Sequence, residues 1–250
     1  MARTDRDLAT KSPARAPEDR AAIRKGLAVG LAAAAYGVSY GALAVAAGLD
    51  VWQTCVMSLL MFTGGSQFAL VGVIATGGVA AGPSAIASAA ILGIRNGIYG
   101  IRVAPIIGGG WWRRFAAAWV TIDESTAVAT TQPTRRSQQI GFWVTAAATF
   151  AGWNLTSLVG ALIGNTMGDV RLYGLDAAAA AAFLGLLWPR LRQLQTIAVA
   201  AAAAVIAAVM TPVLIPGLPV LVAGVVAVVV GAFNWFGGPA PEPEPPGIPT

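Results

Sequence analysis

A short polar break, rich in glycine, divides one apolar stretch of this chain. Mostly apolar residues run from 51 to 62 and from 68 to 75, and between them lie Thr63, Gly64, Gly65, Ser66 and Gln67. Irregular backbone at membrane depth is tolerated only where protein or a water-filled cavity surrounds it. Broken helices bind substrates in transporters because the break frees backbone N–H and C=O groups. An unbroken helix with a small-residue packing face is the alternative interpretation.

A single arginine lies in the middle of the next apolar stretch. An arginine at a helix centre costs about 2.5–3.5 kcal/mol on insertion scales, so Arg95 must face other helices or water. Tyr99 and Arg102 follow at helical spacing on the same face, and Asn96 is adjacent. A guanidinium presents paired N–H donors to a carboxylate, so this face could bind the anionic end of a substrate. The alternatives are a structural ion pair or an Arg102 side chain that extends toward a membrane interface.

Two adjacent carboxylates, Asp123 and Glu124, lie in the following apolar stretch. On a helix their side chains point about 100° apart. They could pair with Arg95, bind a substrate ammonium or carry a proton, since desolvation favours the neutral form of a buried carboxyl group. A helix-end pair in headgroup water would have none of these roles.

The composition identifies the kind of protein that must hold these groups. The chain is 56% hydrophobic and 11% charged, whereas soluble domains carry roughly 25% charged residues. We therefore predict an all-α integral membrane protein, a bundle of about seven or eight transmembrane helices with at least one broken. There is one cysteine and no histidine, which excludes an internal disulfide and a histidine-based relay or metal site. We expect no cofactor and no nucleic-acid partner.

Eight apolar segments are predicted between two polar tails. Residues 1–22 are predicted to form a disordered cytoplasmic tail, 23–236 the transmembrane transporter domain, and 237–250 a disordered proline-rich tail. The segments cover residues 26–47, 51–76, 83–108, 112–131, 139–165, 174–189, 194–212 and 217–236.

The charge distribution predicts an orientation, but it conflicts with eight simple crossings. Seven of the sixteen lysines and arginines lie in residues 1–25, which places the N-terminus in the cytoplasm. Eight crossings would put Arg135 and Arg136 on that side but Arg113 and Arg114 outside. Either segment 112–131 is not a simple crossing, or these two arginines are tolerated at the outer surface.

A weak internal similarity indicates a possible repeat, as is common in transporters. A Gly-x3-Gly pair beginning at Gly37 precedes a Gly-Leu-Asp turn ending at Asp50, and another beginning at Gly160 precedes one ending at Asp176. Each aspartate is predicted to cap the helix that follows. Chance recurrence of glycine patterns is the alternative.

These motifs resemble the AzlC family, the large subunits of bacterial branched-chain amino acid exporters. The likeness spans roughly residues 26–236. Its strongest part is similar to the family's serine, phenylalanine, small-residue, glutamine, phenylalanine run and contains Met57, Ser58, Phe62, Gly64, Gly65, Ser66, Gln67 and Phe68. Arg95-Asn96-Gly97-Ile98-Tyr99-Gly100 is similar to the family's Asn-x-Arg-His-x-x-Tyr-Gly run. Further likenesses are Asp123-Glu124-Ser125-Thr126, Trp153 with Gly160 and Gly164, and Gly174-Leu175-Asp176 with Phe183-Leu184.

The resemblance implies a multi-pass exporter of the bacterial inner membrane that works with a small hydrophobic membrane subunit of the AzlD type. Two positions depart from the family. Gly93 replaces its asparagine and Asn96 its histidine. A role for that histidine does not carry over, so the substrate can differ from Leu, Ile, Val or Met.

We therefore expect a secondary transporter that exports small, branched-chain amino acids and is driven by an ion gradient, with protons as the candidate ion. The predicted substrate-binding residues are Phe62, Gly64, Gly65, Ser66, Gln67, Arg95, Asn96 and Tyr99. Asp123 and Glu124 are the predicted coupling residues. The alternatives are a channel, an exporter of another small solute, or an intramembrane enzyme with these carboxylates as acid and base. No catalytic residue or metal site is assigned.

Overall fold

The computed structural model describes residues 17–167, 184–185, 187–188, 191–192, 194–214 and 218–233. These residues contain ten α-helices and no strand: α1 Pro17–Ala34, α2 Gly37–Ala46, α3 Val51–Leu60, α4 Gly65–Gly77, α5 Gly82–Ile107, α6 Trp111–Trp119, α7 Asp123–Thr130, α8 Arg135–Met167, α9 Leu194–Met210 and α10 Leu218–Phe233. Three stretches are long and apolar enough to cross a membrane: Pro17–Ala46, Gly82–Ile107 and Arg135–Met167. The prediction of a helical membrane protein is confirmed.

Helix α8 packs along α1 and α2 in the same direction. A Cβ added at Gly26 would meet Thr145, and one added at Gly41 would overlap the backbone of Ser157. Contacting residue numbers thus rise together on both helices, which shows that they run parallel. The glycines let the backbones approach closely. We call the end of the bundle with Pro17 and Arg135 the near end, and the opposite end the far end.

Helix α5 returns the chain from the far end to the near end. Its last turn lies beside the start of α8, where Arg135 Nη2 donates to the Pro105 carbonyl at 3.0 Å. Gln139 Nε2 likewise donates to the Ile106 carbonyl at 2.8 Å. Arg95 is therefore placed halfway along the bundle, because it lies at the middle of α5.

The segment that contains α6 and α7 enters and leaves the bundle at the near end. Near the start of α6, Arg113 Nη2 donates to Gln139 Oε1 at 3.4 Å. Just after α7, Thr131 Oγ1 accepts from Lys25 Nζ at 2.9 Å. The two helices have nine and eight residues, about 13 Å each, which is half of a hydrocarbon core of about 30 Å. The predicted crossing over 112–131 is therefore wrong, and the segment is a re-entrant hairpin with its tip at residues 120–122.

The segment that contains α3 and α4 forms a second re-entrant hairpin, which enters from the far end. Helix α4 packs against α2 and α5. Val71 shares a buried cluster with Leu43, and Val73 shares another with Ala85 near the start of α5. Helix α4 thus runs back to the far end, and the predicted crossing over 51–76 is also wrong.

Polar side chains cap the start of α3. Asp50 Oδ1 accepts from the Gln53 backbone N–H at 2.7 Å, and Gln53 Oε1 accepts from the Asp50 backbone N–H at 3.0 Å, so the predicted cap is confirmed.

The predicted break is also present, but it covers residues 61–64 because α4 begins at Gly65. Ser66 and Gln67 therefore belong to the helix and not to the break.

The two hairpins resolve the conflict over the positive charges. Because residues 51–76 turn back, α5 ends at the near end and places Arg113 and Arg114 at the same end as the basic start of α1. Because residues 112–131 turn back as well, Arg135 and Arg136 also lie at that end. Every lysine and arginine between residues 17 and 167 other than Arg95 lies toward the near end: Arg20, Arg24, Lys25, Arg102, Arg113, Arg114, Arg135 and Arg136.

The first helix begins earlier than the predicted domain boundary at residue 23. Residues 17–22 were assigned to a disordered tail, but α1 starts at Pro17. Proline suits the first helical turn, and the acidic Glu18 and Asp19 stabilise a helix N-terminus. Asp19 also pairs with Arg136 of α8 at 2.9 Å. Several predicted features lie outside the described residues: residues 1–16, most of segment 174–189, the second Gly-Leu-Asp turn at 174–176 and residues 237–250.

Candidate functional site

The tips of the two hairpins meet at a cavity of about 290 Å³. It lies halfway along the long helices, since it includes residues from the middle of α5 and of α8. Its lining comprises Ala33, Tyr36, Phe62, Thr63, Gly64, Gly65, Phe68, Leu92, Arg95, Ile122, Asp123, Glu124, Thr149, Trp153 and Leu187.

Gly64 and Gln67 shape the tip of the first hairpin. Gly64 has φ +62°, in the left-handed region that glycine adopts at little steric cost. The buried Gln67 side chain accepts the Gly64 N–H through Oε1 at 3.1 Å. Gln67 therefore supports the tip from behind and does not line the cavity.

Arg95 joins the two hairpin tips. Its Nη1 pairs with Asp123 Oδ2 at 3.2 Å, and its Nη2 donates to the Thr63 carbonyl at 3.4 Å. Gly65 allows this approach, because a Cβ there would lie 2.8 Å from Arg95 Nη2. The prediction that Arg95 faces the bundle is confirmed, and it forms the ion pair that the sequence left as an alternative. Its Nε has no hydrogen-bond partner within the described residues.

The two carboxylates beside Arg95 have different surroundings. Asp123 is neutralised by the ion pair, whereas Glu124 lines the cavity without an ion pair among the described residues. Both lie in the first turn of α7, where the helix dipole favours negative charge. The cavity thus holds one paired carboxylate and one uncompensated carboxylate.

Helix α4 presents its N-terminus to the same cavity. Its first residue, Gly65, lines the cavity, and its first turn contains no acidic side chain. The first N–H groups of a helix have no partner within the helix and attract anions. Together with Arg95, this N-terminus forms the electropositive side of the cavity, opposite in charge to Glu124.

Aromatic rings supply an apolar wall. Trp153 lies edge to face with Phe68 at 6.1 Å, and Tyr40 stacks on Trp153 at 6.1 Å. Trp153 is 5% exposed, and its Nε1 has no acceptor within the described residues. The Thr63 hydroxyl is also buried without a partner there. Buried indole N–H groups usually find a partner, so an unpaired one in a side chain that lines the cavity is unusual.

The structure brings six of the ten predicted site residues to the cavity: Phe62, Gly64, Gly65, Arg95, Asp123 and Glu124. The other four do not line it: Ser66, Gln67, Asn96 and Tyr99. Trp153 was not predicted as a site residue. Its sequence signal was a tryptophan at mid-helix, away from the membrane interfaces where tryptophan is enriched.

The fold and the cavity define a class, a helical membrane protein in which broken helices surround a central polar site, as in membrane transporters. A family model described as AzlC protein matches residues 28–167, which include both hairpins. The chain belongs to the AzlC family, and this membership places it among membrane transporters. No curated protein and no solved structure matches the chain.

Proposed function

We propose that the protein exports small aliphatic amino acids, with branched-chain amino acids as the first candidates. It would act as the large subunit of a two-component exporter driven by a proton gradient. The observation that carries this proposal is that groups of both charges line one mid-membrane cavity, with Arg95 and the α4 N-terminus as the positive groups and Glu124 as the carboxylate without an ion pair among the described residues.

A zwitterion matches this cavity in one orientation. The substrate carboxylate lies against the α4 N-terminus and the Arg95 guanidinium, next to the ion pair of Arg95 with Asp123. The ammonium lies against Glu124. Aliphatic atoms pack on the aromatic wall of Phe68 and Trp153. A volume of about 290 Å³ is near the lower limit for ligand pockets and favours a small solute.

Coupling follows from the single uncompensated carboxylate. A proton and a substrate ammonium both neutralise Glu124, so each excludes the other. A carrier that moves either one across the membrane will exchange protons for amino acid. Because protons are driven into the cell, this exchange supports export.

The membrane orientation is proposed from the distribution of basic residues, and the partner subunit is proposed from the family. The near end, which carries the basic residues, is assigned to the cytoplasm of a bacterial inner membrane. A small hydrophobic membrane subunit of the AzlD type is the expected partner. The exposed isoleucines of α5 offer an apolar face for it or for lipid: Ile86, Ile91, Ile94, Ile98 and Ile101.

The function can be tested by release of amino acids from cells that lack the gene and are loaded with dipeptides. Expression of this chain with the small subunit should accelerate release of leucine, isoleucine or valine, and Glu18→Gln, at an exposed position of α1, should behave like the wild type. Equal release with and without the chain, for every amino acid measured, would contradict the proposal. Substrate-dependent proton flux in reconstituted vesicles separates an exporter from a channel.

Trp153→Phe should weaken substrate binding with little change in folding, because it shrinks the aromatic wall against the aliphatic atoms but keeps a ring against Tyr40 and Phe68. The lost apolar contact, worth about 1 kcal/mol, predicts an increase in KM of about fivefold. The readout is KM and kcat for efflux in vesicles. Trp52→Phe is the matched control, since Trp52 is 75% exposed on α3. An unchanged KM in Trp153→Phe would remove Trp153 from the site.

A further inference from the structure

A second cavity opens at the near end between α1, α6 and α8, with a volume of about 500 Å³. It is separate from the central cavity and shares no lining residue with it. Its polar lining residues include Arg113, Arg136 and Gln139. Its apolar lining residues include Ile23, Ile140 and Trp143, and Trp143 lies next to Arg113.

The two arginines of this lining have more N–H donors than their protein contacts use. Arg136 pairs through Nε at 2.9 Å with Asp19, the one acidic residue among the described residues of the lining. Its two terminal nitrogens have no hydrogen bond within the described residues. Arg113 donates from Nη2 to Gln139 at 3.4 Å, and its guanidinium carbon lies 5.9 Å from the centre of the Trp143 ring. Two guanidinium groups against one carboxylate leave a net positive charge, which favours an anionic ligand.

The surroundings place this cavity at the membrane interface. Helix α6 carries exposed aromatic side chains next to Arg113: Trp111, Trp112 and Phe115. Tryptophan is enriched at the level of the lipid headgroups. The ligand must therefore combine an anionic head for the arginines with apolar chains for the wall formed by Ile140 and Trp143.

We propose that this cavity binds an anionic phospholipid, with its phosphodiester between Arg113 and Arg136. Basic pockets between membrane helices on the cytoplasmic side are known to hold anionic lipid headgroups. Inorganic phosphate would pair with the two arginines but would make no apolar contact with Ile140 and Trp143. Because Arg113 lies on α6, which leads directly to the tip before Asp123, a bound lipid also fixes the base of this hairpin.

The test is thermal unfolding of the purified full-length chain in a neutral detergent. The probes are short-chain phosphatidylglycerol, short-chain phosphatidylcholine and inorganic phosphate. Phosphatidylglycerol should raise Tm, and the other two should not. Arg113→Gln should weaken the response to phosphatidylglycerol by about fivefold in concentration. Arg114→Gln is the matched control, since it removes the same charge from the next residue, which is exposed and outside the cavity.

Three outcomes would overturn the site. Equal weakening by Arg113→Gln and Arg114→Gln would indicate a diffuse basic surface. An equal response to phosphatidylcholine would remove the role of charge, and an equal response to inorganic phosphate would remove the role of the acyl chains. If Arg113→Gln fails to fold, Trp143→Leu replaces it, because that variant keeps both arginines and should still weaken phosphatidylglycerol binding.

Discussion

Replacing Arg95 with alanine is expected to abolish amino acid efflux in reconstituted vesicles. Arg95 is the cation that lines the central cavity, and it contacts both hairpin tips through Asp123 and the Thr63 carbonyl. Its removal takes away the proposed carboxylate ligand and the contact that joins the tips. Arg102→Gln is the control, because it removes an exposed arginine from the same helix toward the near end. Efflux at the wild-type rate in Arg95→Ala would contradict the assignment.

A double variant separates substrate binding from charge balance. Arg95→Ala leaves Asp123 without a partner, and breaking a buried ion pair costs about 3–5 kcal/mol. The cost is smaller here, since the two side chains are 32% and 30% exposed. Arg95→Gln combined with Asp123→Asn restores neutrality, so its Tm should exceed that of Arg95→Ala. Efflux should remain absent, and recovery of efflux would show that Arg95 has a structural role only.

The sequence predicted the polar centre of this protein better than the path of its chain. Hydropathy shows how long an apolar segment is, but it does not show whether the chain crosses the membrane or turns back within it. Helix α3 with α4 contains about as many residues as a crossing helix, although the chain turns back between them. The one signal of this turn was electrostatic, because simple crossings would have left Arg113 and Arg114 on the wrong side.

The predicted site residues that miss the cavity show the limit of motif reasoning. Tyr99 shares a helix face with Arg95, but it lies about 6 Å further along α5, beyond the cavity. Gln67 lies behind the cavity wall and supports the hairpin tip by accepting a hydrogen bond from the Gly64 N–H. Trp153 enters the site only because α8 packs in parallel against α2. Such a contact between distant parts of the chain has no local signature in the sequence.

Glu124→Gln is expected to remove proton coupling while leaving slow downhill efflux. Glutamine has the shape of the protonated side chain, but it can neither release a proton nor neutralise an ammonium. Addition of substrate to wild-type vesicles should move protons, measured with an internal pH-sensitive dye, and no movement should follow in Glu124→Gln. Glu124→Asp keeps a carboxyl group and should retain proton movement at a lower rate.

Asp123→Asn is the matched comparison for Glu124→Gln, because the two carboxylates are adjacent in the first turn of α7 and differ in their partners. Asp123 is held by Arg95 at 3.2 Å, so its charge is already neutralised and has little part in proton exchange. Asp123→Asn should therefore transport more slowly but still move protons with substrate. If proton movement instead survives in Glu124→Gln and disappears in Asp123→Asn, the ion pair opens during transport and Asp123 is the coupling residue.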